Sequence, residues 1–199
     1  MSLLEDLVEL LEEQQDFDLD KVLNLILARL RRATAAEAGT VFVARPVADR
    51  TFNHLEAVAT QNDVVDVPSE RFHVPIDLSS IGGYVASTGE IVEIDDLYNI
   101  PAEVSYNFNE SFDQKHGYKS LSMLAFPLKN VQGQVIGVVQ LINHIGGTDE
   151  NGNTTYTPFP LSEVDRVKGL MTMLGALVER YDLVTEIQSL RRQVAQQNA

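Results

Sequence analysis

Residues 72–96 read FHVPIDLSSIGGYVASTGEIVEIDD, residues 107–130 read NFNESFDQKHGYKSLSMLAFPLKN, and residues 133–143 read GQVIGVVQLIN. The hydrophobic period changes repeatedly along this stretch, and each change comes with a punctuating residue. Phe72 to Ile76 has the spacing of a short strand. Ser79 to Thr88 reads as a short helix capped by Ser79 or Ser80 and closed by Gly89. Ile91 to Ile94 is another short strand, followed by an Asp95-Asp96 turn, and Tyr106 to His116 reads as a short helix ended by Gly117. Leu121 to Leu128 and Gln134 to Asn143 form a hairpin around Gly133.

On the N-terminal side, Thr40 to Val43 and Leu55 to Thr60 are strands joined by a polar segment containing Pro46 and Asp49. Before them come two amphipathic helices. One spans residues 3–14; the other runs from about Leu19 to Ala36, with Asp18 as N-cap and Gly39 as its stop. On the C-terminal side, His144 to Pro160 reads as a polar loop, and Ser162 caps a long helix to the C-terminus. In that helix Val167, Leu170, Leu174, Leu177, Tyr181 and Val184 step by three and four; the seam shifts near Ile187 and continues through Leu190 and Val194. The order predicts an α+β fold: a central antiparallel β-sheet flanked by helices, with long N- and C-terminal helices. The expected division is an N-terminal helix over 1–18, a globular domain over 19–180 and a coiled-coil or linker helix over 181–199.

Formal net charge is −14, and the first 20 residues carry eight acidic side chains and no Lys or Arg. So acidic a chain repels phosphate backbones and anionic lipid heads, which argues against nucleic-acid and membrane partners. Cysteine is absent, which excludes disulfides, thiolate metal sites, Cys nucleophiles and thioether-linked bilin. The acidic start lacks the character of a signal peptide, and the apolar runs are too short to cross a bilayer, so a cytoplasmic location is expected.

Catalytic and metal-binding patterns are missing as well. His54, His73, His116 and His144 are scattered and form no metal-ligand spacing. No phosphate cradle or nucleophile elbow occurs, and Asp149 to Asn153 departs from a calcium loop where Thr154 and Pro160 stand. No enzyme, metal or required cofactor is expected.

Several segments in fixed order nevertheless resemble the GAF family. They are I-x-G-x-V-A-x-T-G-E from Ile81, D-x-x-x-G-Y-K-S from Asp113, P-L-K-N from Pro127 and V-I-G-V-x-Q-L-I-N from Val135. The chain is most similar to the branch found in cyclic-nucleotide phosphodiesterases, adenylyl cyclases and bacterial signalling proteins, over roughly residues 20–179. The resemblance implies a small-molecule pocket between the sheet and the short middle helices. It also implies a homodimer paired through the N- and C-terminal helices.

Carried onto this chain, the resemblance places ligand contacts at Thr40, Thr60, Ile81, Gly82, Asp113, His116 and Ser120. Thr60 and Gln61 stand where cyclic-GMP binders have a stacking aromatic and an Asp, which argues against tight guanine recognition. A buttressing Lys–Asp salt bridge of the family would be replaced by a pair between His144 and Glu163. Two functions stay open: a regulatory sensor for a small ligand such as a cyclic nucleotide, controlling an output domain in a larger bacterial signalling protein, or a dimerisation module with no ligand. An enzymatic role is opposed by the missing cysteines, on which free methionine sulfoxide reduction in the family depends.

Overall fold

The computed structural model describes residues 19–46, 52–67 and 71–197. Helix α1 (Leu19–Ala33) owes its place to one stripe: Val22, Leu23, Ile26, Leu27 and Leu30, each at most 1% exposed. Burying each such side chain stabilises the fold by about 1.5–3 kcal/mol. The helix stops earlier than its hydrophobic pattern suggests. Thr34 Oγ1 donates back to the Leu30 carbonyl at 2.8 Å, and Ala35 takes a left-handed φ of 48° that turns the chain into the sheet. Gly39 is therefore a strand residue and not a helix stop. A Cβ there would stand 2.9 Å from the Gln140 carbonyl oxygen and 3.0 Å from Leu27 Cδ1, so glycine permits close packing of α1 on the sheet. The expected helix over 3–14 and the Asp18 cap lie outside the described residues.

The sheet is built from β1 (Ala36–Pro46), β2 (Phe52–Asn62), β3 (His73–Pro75), β4 (Val92–Ile94), β5 (Met123–Lys129), β6 (Val135–Thr148) and β7 (Thr154–Thr157). Its order is β3-β2-β1-β6-β5-β4, every pair named here is antiparallel, and β7 pairs with the far end of β6. The segment from His144 to Pro160 is thus largely a hairpin and not a loop. Asp149 Oδ1 closes its turn by accepting the Asn151 and Asn153 amides, each at 2.8 Å.

Helices cover both faces. On one side α1 and α4 (Leu161–Gln197) pack over Val41, Val43, Leu124, Phe126 and Leu141. On the other, α2 (Ile81–Thr88) packs over Phe42, Leu55, Ala125 and Val138. The third helix, α3 (Ser111–His116), is shorter than the pattern from Tyr106 implied. Before it, Asn107 instead bridges to Ser80 and donates to the Ser79 carbonyl at 3.1 Å. Helix α4 begins at Leu161, one residue ahead of the expected Ser162 cap, with the Pro160 carbonyl accepting from Glu163 at 2.8 Å. Val167, Leu170, Leu174 and Leu177 are buried, whereas Leu183, Leu190 and Val194 are more than half exposed. The side chains of Tyr181, Val184 and Ile187 lie outside the described set.

The expected His144–Glu163 pair does not form. β7 runs beside His144, whose Nδ1 meets Thr157 Oγ1 at 2.8 Å while its ring lies 5.4 Å from that of Phe159. Glu163 pairs with Arg166 at 2.8 Å within its own helix. The polar junction here is built from Glu37, Tyr118, Asn143 and Tyr156. Asn143 Nδ2 donates to Glu37 Oε2 at 3.0 Å, and the Tyr118 and Tyr156 hydroxyls donate to the same carboxylate.

Candidate functional site

A bulge in β2 prepares the site. The β1–β2 register slips between Val41 and Phe42, because Ala59 faces Val41 while Ala57 faces Phe42, leaving Val58 as an extra residue. An extra residue re-aims the side chains beyond it. As a result Thr60 joins the sheet face that carries Phe42 and Ala57, opposite Thr40.

Above that face sits α2, and its position is set locally. Ser80 has an extended backbone, and its Oγ accepts the Gly83 amide at 3.0 Å; Gly89 closes the helix with a φ of 69°. Gly83 is required by packing: a Cβ would lie 2.5 Å from the Pro75 carbonyl oxygen and 2.6 Å from that of Asp77. Ile81 and Gly82 are thereby held over the sheet.

Between sheet, α2 and α3 lies a cavity of about 590 Å³. All seven expected contact residues line it: Thr40, Thr60, Ile81, Gly82, Asp113, His116 and Ser120. Four phenylalanine rings, Phe42, Phe72, Phe108 and Phe112, and the ring of Tyr118 also contribute to its walls. Such a mixture of apolar walls and a few polar groups is what small-molecule pockets share.

The polar residues differ in what they have left to offer. Asp113 is 3% exposed and already accepts three hydrogen bonds: from the Ser120 amide at 2.6 Å, Ser120 Oγ at 2.9 Å and Tyr98 Oη at 2.7 Å. That carboxylate pushes the Tyr98 phenol up to about 12. Asp113 and Ser120 are therefore tied to each other, holding the turn after α3, where Gly117 takes a φ of 62°. His116 stacks on Phe112 with ring centroids 4.5 Å apart. Arg71 is held by Glu56 at 2.8 Å and by Asp20. Burial raises the Glu56 carboxyl, but its bonds to Arg71 and Arg45 outweigh that and hold it below the usual range.

Gln61 also borders the cavity, but its side-chain amide is spent on the side of α1. Its Nε2 donates to the Asn24 carbonyl at 2.7 Å, and its Oε1 accepts from Arg31 Nη1 at 3.1 Å. Gln140 lines the cavity and was not singled out from the sequence, although it is the polar residue inside the apolar run of β6. Among the described residues no group of three or more His, Cys, Asp or Glu side chains could hold a metal ion. No helix of the described residues is long and apolar enough to cross a membrane.

The family model described as GAF domain matches residues 18–179. A cGMP-specific 3′,5′-cyclic phosphodiesterase of Drosophila virilis is 27% identical over 184 residues, covering 89% of this chain but only 19% of the phosphodiesterase. The chain therefore spans about a fifth of the length of that curated relative. Among solved structures, residues 122 to 287 of a methyl-accepting chemotaxis protein superpose with a TM-score of 0.64 at 18% identity, over 91% of this chain and 98% of that one. The GAF domain of a phosphoenolpyruvate-protein phosphotransferase from Coxiella burnetii gives 0.64 at 17% identity, over 92% and 95%.

Proposed function

The chain belongs to the GAF domain family, and on that premise we propose that it is a regulatory unit, the ligand sensor of a larger signalling protein. In this reading residues 19–180 bind a small ligand, a cyclic nucleotide being the leading class. Residues 181–199 pair with a second copy and lead into an output domain. The observation that carries it is convergence: seven residues drawn from four separate sequence segments line one cavity with apolar walls. The relationship to phosphodiesterases supports the ligand class, since the shared segment lies within proteins named for cyclic GMP.

Thermal melting with cyclic AMP, cyclic GMP and a panel of unrelated metabolites tests the reading, because a ligand of the native state raises the midpoint. A saturable rise with a cyclic nucleotide is expected. No rise with any compound would favour the second reading, a dimerisation module without ligand. That alternative draws on the exposed Leu183, Leu190 and Val194 along α4 and on the mutual engagement of Asp113 and Ser120.

A further inference from the structure

The sheet ends at β4, and among the described residues no strand pairs with its outer edge. A second cavity, of about 410 Å³, opens along that edge. Residues 90–93 line it on the strand side and residues 103–106 on the loop side, with Tyr84 of α2 between them. It shares no lining residue with the ligand cavity. No backbone hydrogen bond joins its two sides among the described residues, so the outward N–H and C=O groups of β4 lack a partner in the chain. Such an open edge is a template for another strand.

The lining is both aromatic and anionic. The rings of Tyr84 and Tyr106 meet edge to face, with centroids 4.9 Å apart. Aromatic faces attract ammonium and guanidinium groups. Glu93 and Glu103 make no hydrogen bond or ion pair among the described residues, and the Glu90 carboxylate is held only by the Tyr84 hydroxyl, at 2.8 Å. Partial burial, and after it Asp95, raises the Glu93 carboxyl above its ordinary range. Lys168 offsets part of this but is itself bonded to Asp165 at 3.0 Å. A carboxylate so placed gains from the arrival of a cation.

Charge on an edge strand also keeps copies of one chain apart. Two copies meeting antiparallel along β4 would set Glu93 against Glu93, and directly opposed like charges destabilise a pair. The same carboxylates favour a partner of opposite sign. Val92 and Ile94 are buried while Glu93 between them is exposed, so a strand laid on this edge must alternate in step: apolar, basic, apolar. The net charge of −14 adds long-range attraction for such a segment. We infer that the β4 edge docks an extended segment of a partner protein in which basic and apolar residues alternate, with a lysine or arginine side chain seated among Tyr84, Tyr106 and the three glutamates.

Fluorescence anisotropy of a labelled peptide alternating arginine and valine, titrated with the whole chain at about 0.15 M salt, tests this. The peptide should bind saturably, and a glutamate–valine counterpart should not. Methylating the peptide's backbone nitrogens removes the donors of a strand ladder and keeps the charge, so it should weaken binding about tenfold or more. Glu93→Lys should weaken it by a similar factor, because like charges then meet across the edge. Glu150→Lys, in the exposed turn between β6 and β7, should change little. No saturable binding would overturn the inference. So would equal binding of the methylated peptide, or of agmatine alone, since the cleft would then hold a cation and no strand. An equal loss in Glu93→Lys and Glu150→Lys would reduce the effect to the charge of the chain as a whole and overturn it too. A dimer, seen by sedimentation, that the peptide dissociates would give the edge to a second copy instead. The methylated peptide needs only the natural chain, so the test stands even where Glu93→Lys fails to fold.

Discussion

Tyr118 donates its phenolic hydrogen to Glu37 Oε2 over 2.6 Å, joining the cavity wall to the first strand across 81 residues of sequence. The same carboxylate accepts from Asn143 and Tyr156, so one buried acid ties β1 to the turn after α3, to β6 and to β7. Tyr118→Phe keeps the ring but leaves the carboxylate one donor short, and should cost about 1–3 kcal/mol. Tyr98→Phe, at a residue 38% exposed, should cost clearly less. Urea unfolding of both variants measures the difference; equal losses would mean that the Glu37 junction has no special weight.

Stability should also fail at alkaline pH through these phenols. Burial first and the Glu37 bond second raise Tyr118 and push Tyr156 up to about 12, and the Asp113 bond takes Tyr98 to about 12. A group whose folded pKa exceeds its unfolded value contributes stability that is complete below the unfolded value and is lost as pH rises through the folded one. With an ordinary value of 10.0, the window runs from pH 10 to about pH 12. Unfolding free energy should be flat on approach to pH 10 and drop beyond it, accompanied by late phenolate absorbance. Six tyrosines all ionising at their ordinary pH would contradict this.

How legible these features were depends on whether their causes are local. The helix at Ser79 to Thr88 could be read because its cap and its stop are both local: Ser80 Oγ on the Gly83 amide and a left-handed Gly89. The convergence of the seven site residues followed from motif order, although what Asp113 and Ser120 do with their polar atoms did not. The donors from Tyr98 and from the Ser120 backbone are set by how turns meet. Gly39 misled as a helix stop because its reason is tertiary, the approach of Leu27 and the Gln140 carbonyl. β7 escaped notice because Thr154 to Thr157 is a short, partly exposed polar strand whose order comes from pairing with β6. That strand in turn is why His144 meets Thr157 and not Glu163.

Helix α4 is seated on the sheet through one glycine. A Cβ on Gly175 would fall 1.9 Å from the Lys129 carbonyl oxygen, a backbone atom that cannot step aside. Gly175→Ala should destabilise by about 1–3 kcal/mol or more, as overpacking does. Gly169 in the same helix has nothing within 4 Å, and there alanine should stabilise by about 0.5–1 kcal/mol. Opposite signs in thermal unfolding are expected; the same sign would show that the packing at Lys129 does not govern how the helix sits.

Thr40 separates the demands of folding from those of binding. Its hydroxyl is 6% exposed, faces the cavity and has no partner among the described residues, so it adds nothing to the stability of the empty domain. Burying an unbonded hydroxyl is unfavourable, and valine has nearly the same shape and suits a strand. Thr40→Val should therefore leave the unliganded midpoint unchanged or raise stability by up to about 1 kcal/mol. If the sheet face carrying Thr40 and Thr60 meets a ligand, the same variant should lose most of the ligand-induced rise in midpoint. Melting with and without a saturating cyclic nucleotide measures both effects in one series. A variant that is destabilised when empty would show that the hydroxyl has a structural partner. One that is stabilised yet keeps the full ligand-induced rise would remove Thr40 from the binding surface.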